Sequence, residues 1–376
     1  MTSKQNRVLI NLSNIHAGGA LQVAISFVSE IIKLKKSDSL FVKVLVSSKI
    51  SEAFDEDVLS ASEWNFHIFD TFGLKALFSS LNTIQRKYHV VFTLFGPKYT
   101  FFKSHRDIQG FAQLWILQPK NPISQNMPFI KRQLMRLKFQ VQWLFFLRAD
   151  HYIVELEHVR DGLVLSKYVE YKNISVVYNT ISSLYLSKSE WKKIYFEKNN
   201  EDISLGIVAR DYPHKNLSIL PFVAQKIEVM YDMKVHFYTT LNSEEWALRD
   251  AEFKKYVSTV GSLNPNECPS FYEQVDGVIF PSLLECFSAT PLEAMVMGKP
   301  LFASDKDFVK NVCFENATYF NPLDSNDIAH KIVNYYKLNP SSSKGLDKAR
   351  MHALNFSSAR NRAEKFLEII HQYSKD

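Results

Sequence analysis

Short apolar runs alternate with segments of helical length through most of the chain. Runs of this kind are typical of strands buried on both faces, which occur in parallel sheets covered by helices. In the first half they lie at 8–12, 40–46, 65–69, 88–94, 111–117, 151–154 and 174–178; in the second half they lie at 203–208, 235–238, 257–260, 278–280 and 300–303. The alternation predicts an α/β protein with two doubly wound parallel sheets.

The chain is long enough for two domains. Of its 376 residues, 46% are hydrophobic, which suits two cores of ordinary size. A polar segment predicts a hinge over 181–200, between an N-terminal domain over 1–180 and a C-terminal domain over 201–355. The last segment, 356–376, reads as an amphipathic helix.

No address for secretion or for membrane insertion is apparent in the sequence. The three cysteines match neither a CxxC pair nor a disulfide framework, and the polar start of the chain does not resemble a signal peptide. No stretch approaches the roughly 18 to 20 apolar residues of a membrane span. A cytoplasmic protein is expected.

Two carboxylates, Glu285 and Glu293, flank a short turn that follows the buried strand ending at Phe280. Thr290 and Glu293 have the spacing of a capping box, which predicts a helix with Thr290 as its N-cap and Gly298 at its end. A helix start beside the carboxyl end of a strand suits a phosphate. In the simpler alternative, Glu293 only caps the helix and Glu285 is a solvated loop residue.

Arg210 and Lys215 lie in the first strand-to-helix loop of the second domain. Doubly wound sheets bind phosphates at this position, and two cations would favour that. Either residue alone would be read as ordinary surface charge.

The pattern of Glu285, seven residues and Glu293, with Phe287 in E-C-F and the run P-L-E-A-M, resembles the signature of the retaining glycosyltransferases of family 4. Those enzymes have the GT-B fold, in which two Rossmann-like domains face each other across a cleft. The resemblance implies that the last helix, over 356–376, crosses back to the N-terminal domain. The resemblance implies that Glu285 lies at the sugar of a nucleotide-sugar donor and that Glu293 holds the ribose hydroxyls. It assigns backbone contacts with the diphosphate to Phe287, Ser288, Ala289 and Thr290.

The same resemblance extends to two other loops. Arg210 and Lys215 match the family's second signature, in which both cations hold the donor's diphosphate. Gly18 and Gly19 correspond to a glycine-rich loop that approaches the diphosphate or the acceptor. Many relatives have a His after the fifth strand, whereas this chain reads Q-L-W-I-L-Q.

The implied activity is transfer, with retention, of a sugar from a UDP- or GDP-sugar to a saccharide or polyprenyl-diphosphate-linked acceptor in lipopolysaccharide O-antigen or capsule biosynthesis. Glu285, Arg210 and Lys215 would be the catalytic residues. No cofactor or metal is expected, and Asp305-Lys-Asp307 is not read as a metal motif. The alternatives are a GT-B sugar-nucleotide epimerase or hydrolase, and a catalytically silent GT-B scaffold.

The net charge of +6 is concentrated between Asp107 and Asp150, where no acidic residue occurs. A helix predicted over 129–148 has an apolar stripe, with four cations beside it. The stripe is Ile130, Leu134, Leu137, Val141 and Leu144, and the cations are Lys131, Arg132, Arg136 and Lys138. Such a helix suits an acceptor side facing an anionic membrane, with the protein peripheral on the inner face of the cytoplasmic membrane. The alternative is a solvated helix packed on its own domain; a nucleic-acid role is unsupported because the basic window is local and apolar.

Overall fold

A computed structural model describes residues 6–34, 40–166, 169–199, 202–338 and 343–375, which form two compact units. Unit 1 comprises the described residues of Met1–Lys120, Met127–Asn179 and Ser358–Asp376; unit 2 comprises those of Asn121–Asn126 and Thr180–Ser357. The predicted domain limits at 1, 200, 201 and 376 lie outside the described residues.

Unit 1 is built on a seven-stranded sheet in which every strand pair is parallel, in the order β3-β2-β1-β4-β5-β6-β7. The strands are β1 (Asn6–Leu12), β2 (Leu40–Val46), β3 (Asn65–Ile68), β4 (Val90–Thr93), β5 (Arg106–Gly110), β6 (His151–Val154) and β7 (Ile174–Val176). The strand order reverses between β1 and β4, as in doubly wound folds.

The fifth strand differs from the sequence prediction. The predicted strand over 111–117 is wrong, because β5 occupies Arg106–Gly110 and residues Leu114–Leu117 form a helical turn. Asp107 and Gln109 are fully buried in β5, and their polarity hid the strand from an apolar pattern.

Helices cover both faces of this sheet. They are α1 (Gly18–Lys33), α2 (Ser48–Ser51), α3 (Glu56–Ser60), α4 (Leu81–Gln85), α5 (Leu114–Leu117), α7 (Phe129–Phe146) and α8 (Glu157–Leu165). The short helix α6 (Pro122–Gln125) lies between α5 and α7 in the chain but belongs to unit 2. The last helix of the chain, Ala359–Lys375, also belongs to unit 1, where Phe366 packs against Phe27 and Phe92.

His151, on β6, is a buried neutral imidazole. Its Nε2 lies 2.8 Å from the Ser175 hydroxyl and its Nδ1 lies 2.9 Å from the Tyr373 hydroxyl. Burial lowers the pKa of His151 to about 4 from an ordinary value of 6.5. Its contribution to stability is therefore complete above pH 6.5 and is lost as the pH falls from 6.5 towards 4.

We expect His151→Gln to be less sensitive to acid than the wild type. Between pH 7 and pH 4.5 the free energy of unfolding of the wild type should fall by roughly 2 to 3 kcal/mol more than that of the variant, because only the wild type must protonate this site. Urea unfolding of both proteins at the two pH values measures the difference. Equal losses in the two proteins would contradict the expectation.

Unit 2 contains a six-stranded parallel sheet in the order β10-β9-β8-β11-β12-β13. The strands are β8 (Ile203–Ile207), β9 (Val235–Thr239), β10 (Val257–Thr259), β11 (Gly277–Phe280), β12 (Leu301–Ser304) and β13 (Thr318–Phe320). The helices are α9 (Leu220–Tyr231), α10 (Ser243–Ala247), α11 (Ala251–Tyr256), α12 (Cys268–Gln274), α13 (Thr290–Val296), α14 (Asp307–Cys313), α15 (Ser325–Leu338) and α16 (Ser343–Phe356), followed in the chain by α17 (Ala359–Lys375) of unit 1. The two doubly wound parallel sheets confirm the predicted fold class.

Within the described ranges, no helix combines the length and apolar character needed to cross a membrane.

Candidate functional site

The strand order of unit 2 places two loops side by side. β8 lies between β9 and β11 in the sheet. The strands that follow β8 directly in the chain, β9 and β10, lie on one side of it, and β11 to β13 lie on the other, so the strand order reverses between β8 and β11. Ligands of open α/β sheets bind at the carboxyl ends of the strands beside such a reversal. The loop after β8 carries Arg210 and Lys215, and the loop after β11 carries Glu285.

Lys215 and Glu285 form an ion pair across these two loops. Lys215 Nζ lies 2.5 Å from Glu285 Oε1, and the side chains are only 14% and 11% exposed. The backbone N–H of Leu283 donates to the carbonyl of His214 over 2.7 Å, which ties the loops together beside the pair. An opposed cation and carboxylate are thus held, largely shielded from water, at the place where this fold binds ligands.

Arg210 lies on the same loop as Lys215 but has a different partner. Its Nε lies 2.8 Å from Glu245 Oε1, and its side chain is 54% exposed. Glu245 is fixed in turn by a capping box with Asn242 at the start of α10. The hydrogen bond to Glu245 raises the pKa of Arg210.

The turn of Phe287, Ser288 and Ala289 is half-buried and leads directly into α13. The prediction that Thr290 is the N-cap is wrong: Ala289 is the N-cap, and Thr290 is the first helical residue. The buried Thr290 hydroxyl donates instead to the Tyr272 hydroxyl. Gly298, with φ +66°, follows the end of the helix as predicted.

Glu293 also departs from the capping-box prediction. Its carboxylate does not reach back to the helix start but accepts a hydrogen bond from the hydroxyl of Tyr272 over 3.0 Å, and a second from Tyr185. Burial raises the pKa of Glu293, while the two tyrosine hydrogen bonds and the charge of Lys215 oppose that rise. Glu293 therefore lies within electrostatic reach of the Lys215–Glu285 pair.

Gly18 and Gly19 are the first two residues of α1 and lie beyond the carboxyl end of β1. Both are exposed. Gly18 has φ +68°, a backbone conformation that favours glycine. A side-chain Cβ at either position would meet no atom within 4 Å, so the conformation of Gly18, rather than lack of space, requires glycine there.

A pocket of about 640 Å³ lies in unit 1 around the carboxyl ends of β1 and β4. Asn11, Asn14 and Gln113 contribute polar side chains to its lining, and Leu134 and Leu137 of α7 contribute apolar ones. The pocket is at the reversal of strand order in unit 1, the position at which doubly wound sheets bind ligands.

Two acceptor atoms of this pocket are buried and have no hydrogen-bond partner in the described part of the chain. Asn14 Oδ1 and Gln142 Oε1 accept no hydrogen bond from any described residue. Buried polar atoms are normally satisfied, so these two oxygens suit a ligand with hydroxyl donors.

The helix α7 leaves most of its apolar stripe uncovered. Ile130, Leu134, Leu137 and Leu144 are between 58% and 73% exposed, and Phe146 is the buried residue of the helix. Lys131 and Lys138 are exposed, and Arg132 and Arg136 are half-buried. In the alternative interpretation, Trp143, Phe145 and Phe146 pack into the core of the domain. Phe146 is buried in this way, whereas Trp143 and Phe145 are half-buried.

Asp305, in the D-K-D sequence, forms an ion pair with Lys310. In the part of the chain that the structure describes, no three His, Cys, Asp or Glu side chains are grouped as a metal site.

Sequence reasoning missed Tyr185 and Tyr272, which hold Glu293. Neither belongs to a motif, since Tyr185 lies in a short helical turn, Ser183–Leu186, and Tyr272 lies on α12. The pocket residues Asn11, Asn14 and Gln142 were missed as well. For Asn11 and Asn14, the sequence position could have indicated a site, because both are polar residues at the carboxyl end of the predicted first strand.

Comparisons with known proteins find a family match within unit 2. The sequence profile of the family described as glycosyl transferases group 1 matches residues 203–337. The O-antigen chain mannosyltransferase RfbU of Salmonella typhimurium is 24% identical over 197 residues, which cover 51% of this chain and 52% of that protein. The chain thus spans about half the length of this curated relative.

Solved structures resemble the whole chain in fold. A glycosyltransferase from Rickettsia africae has a TM-score of 0.69 at 14% identity, covering 99% of this chain and 100% of its own. Anabaena Alr3699/HepE in complex with UDP and glucose has a TM-score of 0.66 at 13% identity, covering 98% of this chain and 100% of its own. Residues 203–337 therefore match the group 1 glycosyl transferase family, and the chain as a whole has the two Rossmann-like domains of GT-B glycosyltransferases.

Proposed function

We propose that this protein is a retaining glycosyltransferase of family 4, which moves a hexose from a nucleotide-diphosphate sugar to a saccharide or polyprenyl-diphosphate-linked acceptor in surface polysaccharide assembly. The observation that carries the proposal is the shielded Lys215–Glu285 pair, 2.5 Å apart, at the strand reversal of the unit that matches the group 1 family. Anabaena Alr3699/HepE, a fold relative, was solved with UDP and glucose, which supports a nucleotide sugar as donor.

The chemistry assigns a task to each residue. Breaking the bond between the sugar C1 and the diphosphate oxygen places negative charge on the leaving group, and fixed cations stabilise that charge. Lys215 and Arg210 would neutralise the diphosphate, with backbone N–H groups of Phe287, Ser288, Ala289 and Thr290 beside them. Glu285 would bind sugar hydroxyls near the reacting carbon, and Glu293 would bind the ribose. Because these groups supply the positive charge, we expect transfer without a metal or another cofactor.

Unit 1 would bind the acceptor. Asn14 Oδ1 and Gln142 Oε1 in its pocket accept no hydrogen bond from the described residues, so they suit the hydroxyls of a saccharide. The exposed apolar stripe of α7 suits a lipid carrier. Gly18 and Gly19 lie beyond the same strand end as Asn14. In this proposal the protein works as a peripheral protein on the inner face of the cytoplasmic membrane.

The direct test is a transfer assay with labelled UDP- and GDP-sugars and extracted lipid-linked saccharides, run with and without EDTA. Mannose donors come first because the relative RfbU is named a mannosyltransferase. Labelled product on the acceptor, with the donor's anomeric configuration by NMR, is the expected result. Free sugar or an epimerised nucleotide sugar would favour a hydrolase or an epimerase instead, and nucleotide binding without turnover would favour a silent scaffold.

We also expect α7 to bind anionic vesicles. Changing Lys131, Arg132, Arg136 and Lys138 together to Gln removes four cations, each worth about 1 kcal/mol near an anionic surface. The affinity for phosphatidylglycerol-containing vesicles, measured by cosedimentation, should therefore fall by roughly a thousandfold.

The control variant loses the same charge from unit 2. Four of its exposed lysines, Lys226, Lys234, Lys254 and Lys255, are changed to Gln. This protein should bind vesicles as the wild type does. Equal weakening of both variants would mean that binding depends on net charge and not on α7.

A further inference from the structure

Two buried tyrosine hydroxyls converge on one carboxylate in unit 2. Tyr272 is fully buried on α12, and Tyr185 is 7% exposed in the turn Ser183–Leu186. Their rings lie 6.2 Å apart, and both hydroxyls donate to Glu293. The two tyrosines are 87 positions apart in sequence, so the convergence is a product of the tertiary fold.

The hydrogen bonds continue beyond the tyrosines. Thr290 donates to the Tyr272 hydroxyl, which is thereby left to donate its own proton to Glu293. A hydroxyl that accepts one hydrogen bond and donates another has a fixed orientation. The donor to Glu293 is thus locked in direction by the first residue of the helix that carries Glu293 itself.

Two donors do not saturate a carboxylate. An ionised carboxylate has about four acceptor positions, so two remain for other groups after Tyr185 and Tyr272 have bound. Glu293 is half-buried, whereas Tyr185 and Tyr272 are buried. Glu293 can therefore accept hydrogen bonds from a ligand in addition to those from the two tyrosines.

The following inference rests on the proposed function. We propose that Tyr185 and Tyr272 are positioning residues, which fix the Glu293 carboxylate so that its two remaining acceptor positions bind the 2′- and 3′-hydroxyls of the donor's ribose. A vicinal diol presents two donors at a fixed spacing, so the carboxylate must hold one orientation to accept both. Their hydrogen bonds also favour the ionised carboxylate, since they oppose the rise in pKa that burial causes.

This assignment predicts a loss of selectivity. Wild type should bind UDP or GDP more tightly than the 2′-deoxy nucleotide with the same base. Tyr272→Phe and Tyr185→Phe should each weaken binding of the ribonucleotide by roughly tenfold, the size of one hydrogen bond to a charged group, with little change for the deoxynucleotide. Isothermal titration calorimetry of each protein with both nucleotides measures the ratio.

Tyr336→Phe is the matched control. The hydroxyl of Tyr336, on α15 of the same unit, is buried and has no hydrogen-bond partner within the described ranges. Tyr336→Phe removes one tyrosine hydroxyl oxygen from unit 2, as Tyr185→Phe and Tyr272→Phe do, but it leaves the hydrogen bonds of Glu293 in place. This variant should keep the wild-type ratio of ribonucleotide to deoxynucleotide affinity.

The outcomes separate the inference from the proposed function. Folded Tyr185→Phe and Tyr272→Phe proteins that keep the wild-type selectivity would show that these tyrosines only pack the core, with the donor site unaffected. A wild type that binds neither nucleotide would overturn the donor site, and this inference with it.

Discussion

Lys215→Ala is expected to lower kcat/KM for sugar transfer by a factor of roughly 10² to 10³, the usual effect of removing one fixed charge-stabilising group from an active site. Because Lys215 is only 14% exposed, water cannot readily take the place of its ammonium group in stabilising the negative charge of a leaving diphosphate. The change also removes the cation that pairs with Glu285, the carboxylate that would bind the sugar of the donor in the proposed mechanism. Steady-state transfer assays with the donor identified for the wild type measure the ratio.

An exposed ion pair of the same unit provides the control. Lys348 Nζ lies 2.9 Å from Glu315 Oε1, with both side chains about two-thirds exposed. Lys348→Ala removes the same atoms and charge but should leave kcat/KM unchanged. A folded Lys215→Ala protein with the activity of Lys348→Ala would contradict the role of Lys215.

Lys98→Met is expected to lower the free energy of unfolding by roughly 3 to 5 kcal/mol, because it leaves a buried carboxylate unpaired. Lys98 Nζ lies 2.5 Å from Asp107 Oδ2, and both side chains are 1% exposed. Burial raises the pKa of Asp107, so the cost should shrink as the pH falls and the carboxylate takes up a proton. Urea unfolding at pH 8 and pH 5 measures both effects.

A neighbouring surface pair and a double variant test the cause of this loss. Lys103 pairs with Asp150 over 2.7 Å but is 48% exposed, so Lys103→Met should cost at most about 1 kcal/mol. Changing Lys98 to Met and Asp107 to Leu together removes both charges and should recover much of the lost stability. If Lys98→Met costs no more than Lys103→Met, the buried pair has no special role in stability.

The apolar pattern predicted both sheets but misplaced β5. Asp107 and Gln109 alternate with apolar residues in that strand, and a polar side chain in a run normally indicates exposure. They can be buried because Lys98 partners both of them. Its ammonium group forms an ion pair with Asp107, and its backbone N–H donates to Gln109 Oε1 over 3.1 Å. This pairing depends on the folded position of the loop after β4, which no local pattern contains.

The pair of Lys215 with Glu285 could be anticipated in part. Both residues follow predicted strands, and the carboxyl ends of adjacent parallel strands lie at one edge of a sheet. The partners of Glu293 could not be anticipated. The capping-box spacing of Thr290 and Glu293 is a local preference worth about 1 kcal/mol, and the buried hydroxyls of Tyr272 and Tyr185 replace it with stronger tertiary hydrogen bonds.

Binding of a nucleoside diphosphate by unit 2 tests the central claim most directly. Thermal unfolding of the wild type and of Lys215→Ala should be followed with UDP and with GDP. A nucleotide at about 100 times its Kd stabilises the folded wild type by roughly 2.7 kcal/mol, and at the same concentration the variant should gain much less. One nucleotide that shifts the wild type and not Lys215→Ala is the predicted result. No shift of the wild type by either nucleotide, or equal shifts of both proteins, would contradict the donor site at Lys215, Glu285 and Glu293.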